Sequence, residues 1–181
     1  GHSTVQGFNV TIENPAGSTR KGVDAAGNEW ANEMDSHYGY FKRTIGADSE
    51  TGAAPHQVEQ VDTFIKKDVD IPADNPVYIV DQTNEDGSFD ETKVMVGFDT
   101  KEDASEGYHS NYPDGWKGAK AITEATPEQL KTWLNDPEAN DEYGEYLNGT
   151  PKVLKPVEPK VLKPENKSVP ELSCWNCYVL A

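Results

Sequence analysis

The carboxylates of this chain are the residues whose type and placement most directly suggest chemistry. They lie on predicted loops and at the edges of predicted strands, where side chains from separate parts of a chain can converge. Carboxylate oxygens grouped in this way can hold Mg²⁺. The candidate ligands are Asp48, Glu59, Asp62, Asp86 and Glu91. Because the chain contains 32 aspartates and glutamates, the alternative is that these side chains are solvated surface charge.

The histidines and cysteines give no comparable pattern. The four histidines show neither HxxxH nor HxH spacing, and we expect surface or structural roles for them. They are His2, His37, His56 and His109. Cys174 and Cys177 form a CxxC motif that follows a proline-rich segment, and the residues after the motif show no helical pattern. This favours an aromatic docking tip there over a redox or zinc site.

The secondary structure predicted around these residues starts with strands. Phe8, Val10 and Ile12 alternate with polar residues, which predicts a strand ending at Glu13. A second strand is predicted over 61–65, and the segment 59–62 that enters it fixes which carboxylates share a face. Two short apolar runs, 77–80 and 94–96, flank the turn residues 84–87. We therefore predict a hairpin over 77–98 with an acidic loop.

Two helices are predicted to follow the strands. Thr100 can cap a helix that runs to about Asn111. Thr126 supplies a second N-cap, with proline at the first helical position and Gln129 completing a capping box. Strands first and helices later indicate a small barrel or sheet with helices packed against it.

The charge of the chain is unevenly distributed. Of 181 residues, 16 are basic and 32 acidic, giving a formal net charge of -16. Residues 1–149 carry 11 basic and 29 acidic residues, whereas residues 150–181 carry 5 lysines and 3 glutamates. Such an acidic surface disfavours nucleic acid, and no apolar stretch is long enough to span a membrane.

This split predicts two parts, a body over 1–149 and an extended arm over 150–181. In the arm, the segment 151–156 (Pro-Lys-Val-Leu-Lys-Pro) recurs at 159–164. Proline at this density favours an extended spacer. The apolar and aromatic residues of 169–181 then suggest an anchor that binds a protein partner.

Several ordered motifs of the body resemble those of soluble family I inorganic pyrophosphatases. They are Glu13-Asn-Pro-Ala-Gly-Ser-Thr-Arg20, His37-Tyr-Gly-Tyr40, Gly46-Ala-Asp48 and Val61-Asp-Thr-Phe64. The hairpin motif at 81–98 and the segment 115–123 resemble the shortened pyrophosphatase-like domains of phage and mobile-element polyvalent proteins. The resemblance covers residues 8–135. It implies an α+β fold, an OB-like five-stranded β-barrel with two or three packed helices, here followed by the extended C-terminal arm.

The resemblance also implies a metal cluster. Asp48, Glu59 and Asp62 stand where the family places three aspartates that hold divalent metals, Mg²⁺ or alternatively Mn²⁺. Asp62 or Asp48 would be the carboxylate that orients the attacking water. The further metal ligands implied are Asp86, Glu91 and Glu13.

A second group of residues resembles the family's phosphate contacts. Tyr38 matches a phosphate-side tyrosine, Arg20 a basic phosphate ligand, and Lys93 the lysine of an acidic-x-Lys pair. Lys117 matches a C-terminal basic contact more loosely. Basic side chains neutralise a transferring phosphoryl group, and metal ions activate water below its bulk pKa, so the set suits phosphoanhydride hydrolysis.

This sequence departs from the family pattern at the cluster. The family keeps its first two cluster aspartates nearly adjacent, whereas residues 49–58 intervene here and Glu59 replaces an aspartate. A basic residue expected shortly before the tyrosine motif is replaced by Asn32 and Glu33. Because coordination tolerates only small ligand shifts, convergence of Asp48, Glu59 and Asp62 is the structural test.

Two functions therefore compete. The first is Mg²⁺-dependent hydrolysis of inorganic pyrophosphate or a related phosphoanhydride, with a small phosphate substrate. The alternative is a catalytically inactive, virion-associated structural or interaction protein that docks on a phage-particle component through its arm. The N-terminal region shows no apolar signal segment, so we expect the cytoplasm of a bacterial host or a phage particle rather than secretion.

Overall fold

The computed structural model describes residues 1–23, 27–46, 59–136 and 142–147, and the sequence patterns of these ranges build mainly strands. The described strands are β1 His2–Val5, β2 Phe8–Asn14, β3 Thr19–Val23, β4 Glu29–Glu33, β5 His37–Phe41, β6 Asp62–Ile65, β7 Val77–Thr83, β8 Phe89–Val96 and β9 Ala119–Ala125. The described helices are α1 Lys101–Ser110, α2 Pro127–Leu134 and α3 Tyr143–Leu147. Asp48 and the predicted arm, with Cys174 and Cys177, lie outside the described residues, so the division at 149 stays a prediction.

Seven of the described strands form one mixed sheet in the order β1-β2-β5-β6-β8-β7-β9, and β3 and β4 form a separate two-stranded sheet. Neighbours in the large sheet are antiparallel except β6 and β8, which run parallel. β5, β6 and β8 therefore lie side by side, and their side chains can meet on one face.

The expected α+β architecture is present, but the expected five-stranded barrel is not confirmed. The large sheet has seven strands in the described ranges, and no pairing between described residues joins β1 to β9 to close it. β1 and β9, which the sequence did not predict as strands, add to the two ends of the sheet. Three helices in the described ranges accompany it, at the upper end of the expected number.

Both faces of the sheet at β7 and β8 are buried, because apolar residues occupy consecutive positions there. One face packs against α2 and α3, in a cluster that includes Val77, Ile79, Val94, Leu130, Trp133 and Tyr143. The other face packs against α1, in a cluster that includes Tyr78, Val80, Met95, Ala104 and Tyr108. Lys93 alternates in phase with Met95, so its side chain lies on this second face.

The predicted elements with strong local signals are confirmed. The strand at 8–13 is β2, the 61–65 strand is β6, and the predicted hairpin is formed by β7 and β8. Thr100 caps α1, since its hydroxyl accepts a hydrogen bond from the Asp103 amide. The capping box between Thr126 and Gln129 is present at the start of α2.

The strands that were not predicted have little apolar alternation. β1, β3 and β4 are mostly exposed, so their residues carry no hydrophobic signal of period two. β5 contains Gly39, whose missing side chain admits the neighbouring strand: a Cβ there would lie 1.8 Å from the Thr11 carbonyl oxygen. This close approach of β2 and β5 positions Tyr38.

Among the helices in the described ranges, none combines the length and the apolar composition needed to cross a membrane.

Candidate functional site

Four polar side chains meet where β5, β6 and β8 run side by side. In the strand register, Asp62 lies opposite Tyr40 on one side and opposite Lys93 on the other. Tyr38 lies two positions from Tyr40 on β5, and Glu91 lies two positions from Lys93 on β8. Side chains two positions apart in a strand share a face, so Tyr38 and Glu91 lie on the same face as Asp62 and Lys93. We call Tyr38, Asp62, Glu91 and Lys93 the Lys93 cluster.

Lys93 lies at the centre of this cluster, with its side chain only 2% exposed. Its Nζ atom is 2.5 Å from Oδ2 of Asp62 and 2.6 Å from Oε1 of Glu91. Burial alone would lower the pKa of Lys93, but the Asp62 carboxylate opposes that effect, helped by Tyr112, Glu91 and Tyr38. The pKa of Lys93 therefore lies well above its ordinary value, and the ammonium stays charged in the neutral range.

Tyr38 connects the cationic and anionic members of the cluster. Its hydroxyl donates to Oδ2 of Asp62, and its oxygen accepts from Nη2 of Arg20 at 3.1 Å and from Nζ of Lys93 at 3.3 Å. Burial raises the pKa of Tyr38 well above its ordinary value; Lys93 opposes the rise, Asp62 adds to it, and Arg20 opposes it. The phenol is therefore neutral, and its one proton is committed to Asp62.

Asp62 uses one carboxylate oxygen for these contacts. Oδ2 accepts from both Tyr38 and Lys93, while no described residue contacts Oδ1 as a partner. The side chain is 17% exposed. A carboxylate that is held through one oxygen and is partly exposed can orient a water molecule.

Arg20 reaches the cluster from β3. Its guanidinium carbon lies 4.1 Å from the centroid of the Tyr38 ring and 5.5 Å from that of Trp30 on β4. Aromatic faces attract the cation without neutralising its charge. Arg20 forms no ion pair with a carboxylate of the described ranges. Its positive charge is thus available to an anionic ligand.

A buried amide borders the cluster on β7. Gln82 is 4% exposed, and its Nε2 atom donates to Oδ2 of Asp90 at 2.7 Å and to Oε1 of Glu91 at 3.2 Å. Its Oε1 atom accepts from the hydroxyls of Tyr108 at 2.6 Å and Tyr112 at 2.9 Å. Gln82 therefore links a carboxylate of the Lys93 cluster to two tyrosines.

Sequence reasoning missed Gln82, Tyr108 and Tyr112 as members of the site. One signal was present: Gln82 shares its face of β7 with Tyr78 and Val80, so its position predicts a buried polar group that needs partners. The i, i+4 spacing of Tyr108, in α1, and Tyr112, just after its end, was a second signal.

The remaining predicted residues lie apart from these contacts. Glu13 is exposed on β2, and Lys117 is exposed just before β9. Asp86 accepts hydrogen bonds from the hydroxyl and the amide of Ser88, and these bonds lower its pKa. Its carboxylate is thereby engaged within the hairpin turn.

Glu59 and Asp48 bracket the insertion. The carbonyl oxygen of Glu59 accepts a hydrogen bond from the amide of Gly46 at 2.7 Å. This bond joins the residues on either side of the insertion, and we call it the closure at Gly46 and Glu59. Gln60 and Val61 pair with Arg43 and Thr44 next to this closure. Asp48 and residues 49–58 lie outside the described residues, so the predicted convergence of Asp48, Glu59 and Asp62 stays a prediction.

The described carboxylates do not by themselves fit a metal ion. Within the ranges that the structure covers, no three His, Cys, Asp or Glu side chains come together as a ligand group. Asp62 and Glu91 do approach each other, but the ammonium of Lys93 lies between them and is paired with both. A metal site here would need carboxylates beyond these two.

Comparison with known proteins identifies a family for most of the chain. A family model described as Inorganic Pyrophosphatase matches residues 1–135, a range that contains all four residues of the Lys93 cluster. Among curated proteins and among solved structures, none matches the chain.

Proposed function

Because this chain belongs to the inorganic pyrophosphatase family over residues 1–135, we propose that it hydrolyses inorganic pyrophosphate or a related phosphoanhydride. The observation that carries the proposal is the arrangement of Arg20 and Lys93 around Tyr38 and Asp62. It combines positive charge for a phosphate anion with a partly open carboxylate. The narrower assignment to the shortened phage-type domains is also part of the proposal and is supported by the motifs at 81–98 and 115–123.

The first task of such a site is to neutralise the transferring phosphoryl group. Arg20 has no acidic partner in the described ranges and can contact phosphate oxygens through its planar fork of donors. Lys93 stays charged and offsets part of the negative charge of Asp62 and Glu91, which would otherwise repel a phosphate anion. We propose Arg20, Lys93 and Tyr38 as substrate contacts, with the exposed Lys117 as a further basic contact at the rim.

The second task is to activate water. We propose that Oδ1 of Asp62 accepts a hydrogen bond from the attacking water and takes its proton as the water oxygen bonds to phosphorus. Tyr38 and Lys93 hold the other oxygen and thereby fix the direction of the carboxylate. The phosphorus–oxygen bond to the leaving phosphate breaks, so one water and one pyrophosphate yield two phosphates.

Members of this family generally use divalent metals, and we propose Mg²⁺, or Mn²⁺ in its place, as the cofactor. A bound metal would supply further charge neutralisation and a lower pKa for water. We propose Asp48, Glu59 and Asp62 as its main ligands, with Asp86, Glu91 and Glu13 as the others. Support comes from the closure at Gly46 and Glu59, since Asp48 follows Gly46 by two positions.

The experiment is release of phosphate from pyrophosphate by the full chain, with Mg²⁺, with Mn²⁺ and without added metal. We expect release with metal, and a loss of at least a hundredfold in Asp62→Asn, which keeps the size of the side chain and removes its charge. Asp103→Asn is the matched control, because Asp103 is also a half-buried carboxylate paired with a lysine, Lys66. Absence of release under every metal and pH would contradict the proposal and favour the non-catalytic alternative.

A further inference from the structure

We propose that Gln82 is a positioning residue, which sets the proton directions of Tyr108 and Tyr112 and the orientation of Glu91 in the Lys93 cluster. The inference rests on the proposed hydrolysis for its kinetic consequence. It goes beyond that proposal because Gln82 contacts neither the proposed substrate groups nor the proposed water directly.

The orientation of the Gln82 amide follows from the chemistry of its neighbours. Ionised carboxylates only accept hydrogen bonds, so the side facing Asp90 and Glu91 must be the NH₂ group. The carbonyl oxygen then faces Tyr108 and Tyr112. These four contacts satisfy the NH₂ donors and the carbonyl acceptor of the buried amide.

This orientation determines where the two phenol protons point. The carbonyl oxygen of Gln82 carries no hydrogen, so Tyr108 and Tyr112 must each donate to it. The indole N–H of Trp116 donates to the hydroxyl oxygen of Tyr108 at 2.9 Å, which agrees with that direction. Burial raises the pKa of both tyrosines, so both hydroxyls keep their protons in the neutral range.

The consequence concerns Tyr112, whose hydroxyl lies in the electrostatic field of Lys93, Glu91 and Arg20. Because its proton is directed to Gln82, the oxygen of Tyr112 presents only lone pairs to the site. It can accept a hydrogen bond from a water or from a protonated phosphate oxygen, but it donates none while the contact with Gln82 lasts.

Gln82 acts on Glu91 at the same time. Its NH₂ group and the ammonium of Lys93 contact the same carboxylate atom, Oε1 of Glu91. The carboxylate is therefore held from two directions, and the amide restrains one of the contacts of Lys93. A methionine of similar length would fill the same volume with no desolvation cost, so the buried amide indicates a polar role rather than packing.

The kinetic test compares Gln82→Met, Tyr112→Phe and the double variant in the full chain with pyrophosphate and Mg²⁺. We expect each single change to lower kcat/KM at least tenfold. The double variant should lie within twofold of the less active single variant, because Tyr112 acts through its contact with Gln82. Effects that multiply, or full activity in Gln82→Met, would overturn the positioning role.

Tyr143→Phe is the matched control. Its hydroxyl is buried with no partner among the described residues, and its ring lies in the cluster on the opposite face of the sheet. We expect unchanged kcat/KM in Tyr143→Phe, and in Gln82→Met the added Tyr143→Phe should change nothing further.

A second arm needs no activity and separates this inference from the proposed function. Urea unfolding of the same variants should show coupling between Gln82 and Tyr112 of fivefold or more in the unfolding equilibrium constant, and none between Gln82 and Tyr143. If the wild-type chain releases no phosphate, the proposed hydrolysis fails, and the unfolding cycle still decides the contact: coupling supports it, and additivity overturns it.

Discussion

At the scale of single residues, the buried ammonium of Lys93 determines how the site is balanced. A desolvated cation is tolerated only when it is paired and hydrogen-bonded, and Lys93 meets that condition through Asp62, Glu91 and Tyr38. The same contacts restrain the two carboxylates. Stability and proposed chemistry therefore depend on one set of atoms.

We predict that Lys93→Met lowers the free energy of unfolding by roughly 3–5 kcal/mol, because it leaves the paired carboxylates without their cation. Adding Asp62→Asn to that variant should restore part of the loss, since the uncompensated charge is then removed. Urea unfolding at neutral pH measures both. A double variant that is less stable than Lys93→Met would show that the ion pair does not govern the energetics.

The control is Lys120→Met. Lys120 and Glu142 are also 2.6 Å apart, but the lysine side chain is 47% exposed. Solvent screens an ion pair whose lysine is this exposed, so this variant should lose far less stability than Lys93→Met.

At the scale of elements, the approach of β2 to β5 depends on Gly39. An added Cβ at this position would collide with the backbone of Thr11, which has no room to move within a paired strand. We predict that Gly39→Ala destabilises the fold by several kcal/mol and disrupts the Tyr38 contacts. Thermal unfolding, monitored by circular dichroism, measures this loss of stability.

Gly87→Ala is the control that distinguishes the steric collision at Gly39 from the general cost of replacing a glycine. Gly87 has φ +84° and no atom within 4 Å of an added Cβ, so only backbone strain opposes alanine there. That strain amounts to about 1 kcal/mol. Equal losses at the two positions would contradict the close-packing explanation.

The attachment of α3 depends on a buried carboxylate at the end of β7. Asp81 is 1% exposed, and its two oxygens accept from the amides of Tyr143 and Gly144 at 2.7 and 3.0 Å. Burial raises the pKa of Asp81, and the two amides and Lys120 oppose the rise while Glu142 adds to it. The net pKa lies above the ordinary value for an aspartate.

The raised pKa of Asp81 predicts a specific pH dependence. Above the ordinary aspartate pKa of about 3.9, the folded protein keeps the Asp81 proton longer than the unfolded chain does. The stability contributed by this group is therefore fully present below that pH and is lost as pH rises through the folded pKa. A pKa that is higher by one in the folded state than in the unfolded state corresponds to about 1.4 kcal/mol.

The measurement is urea unfolding of the wild type and Asp81→Asn at a series of pH values from acidic to neutral. The asparagine side chain of that variant does not titrate, so the free energy of unfolding of the wild type should fall relative to the variant as pH rises, and then level off. A difference that is the same at every pH would mean that the pKa of Asp81 is not raised by folding.

At the scale of the whole molecule, the dominant feature is the net charge of -16. Charge of one sign repels itself in the compact state, and salt screens that repulsion. We predict that moderate salt raises the melting temperature of the chain near pH 7. Near the sequence pI of about 4.5 the effect should vanish, and a salt effect of equal size there would contradict the explanation.

The sequence alone was sufficient wherever a few neighbouring residues decide the structure. Two helix caps show this: the capping box of Thr126 and Gln129, and the N-cap at Thr100. Each involves residues three positions apart, so it can be recognised directly in the sequence. The alternation in β2 and the apolar runs of β7 and β8 were equally local. The family motifs at Tyr38, Asp62 and Lys93 were identified in the same way, and the structure brings these three residues together.

Features that depend on long-range pairing became visible in the folded chain. The hydroxyl of Tyr38 meets Lys93 across 55 residues of sequence because β6 lies parallel to β8, with β5 on its other side. The exposed strands β1, β3 and β4 carry no apolar periodicity. The number of strands and their order in the sheet therefore could not be predicted from the sequence. Gln82 became part of the site for the same reason. Its partners come from α1, from the turn that follows α1 and from the neighbouring strand, and the packing of the chain brings these partners together.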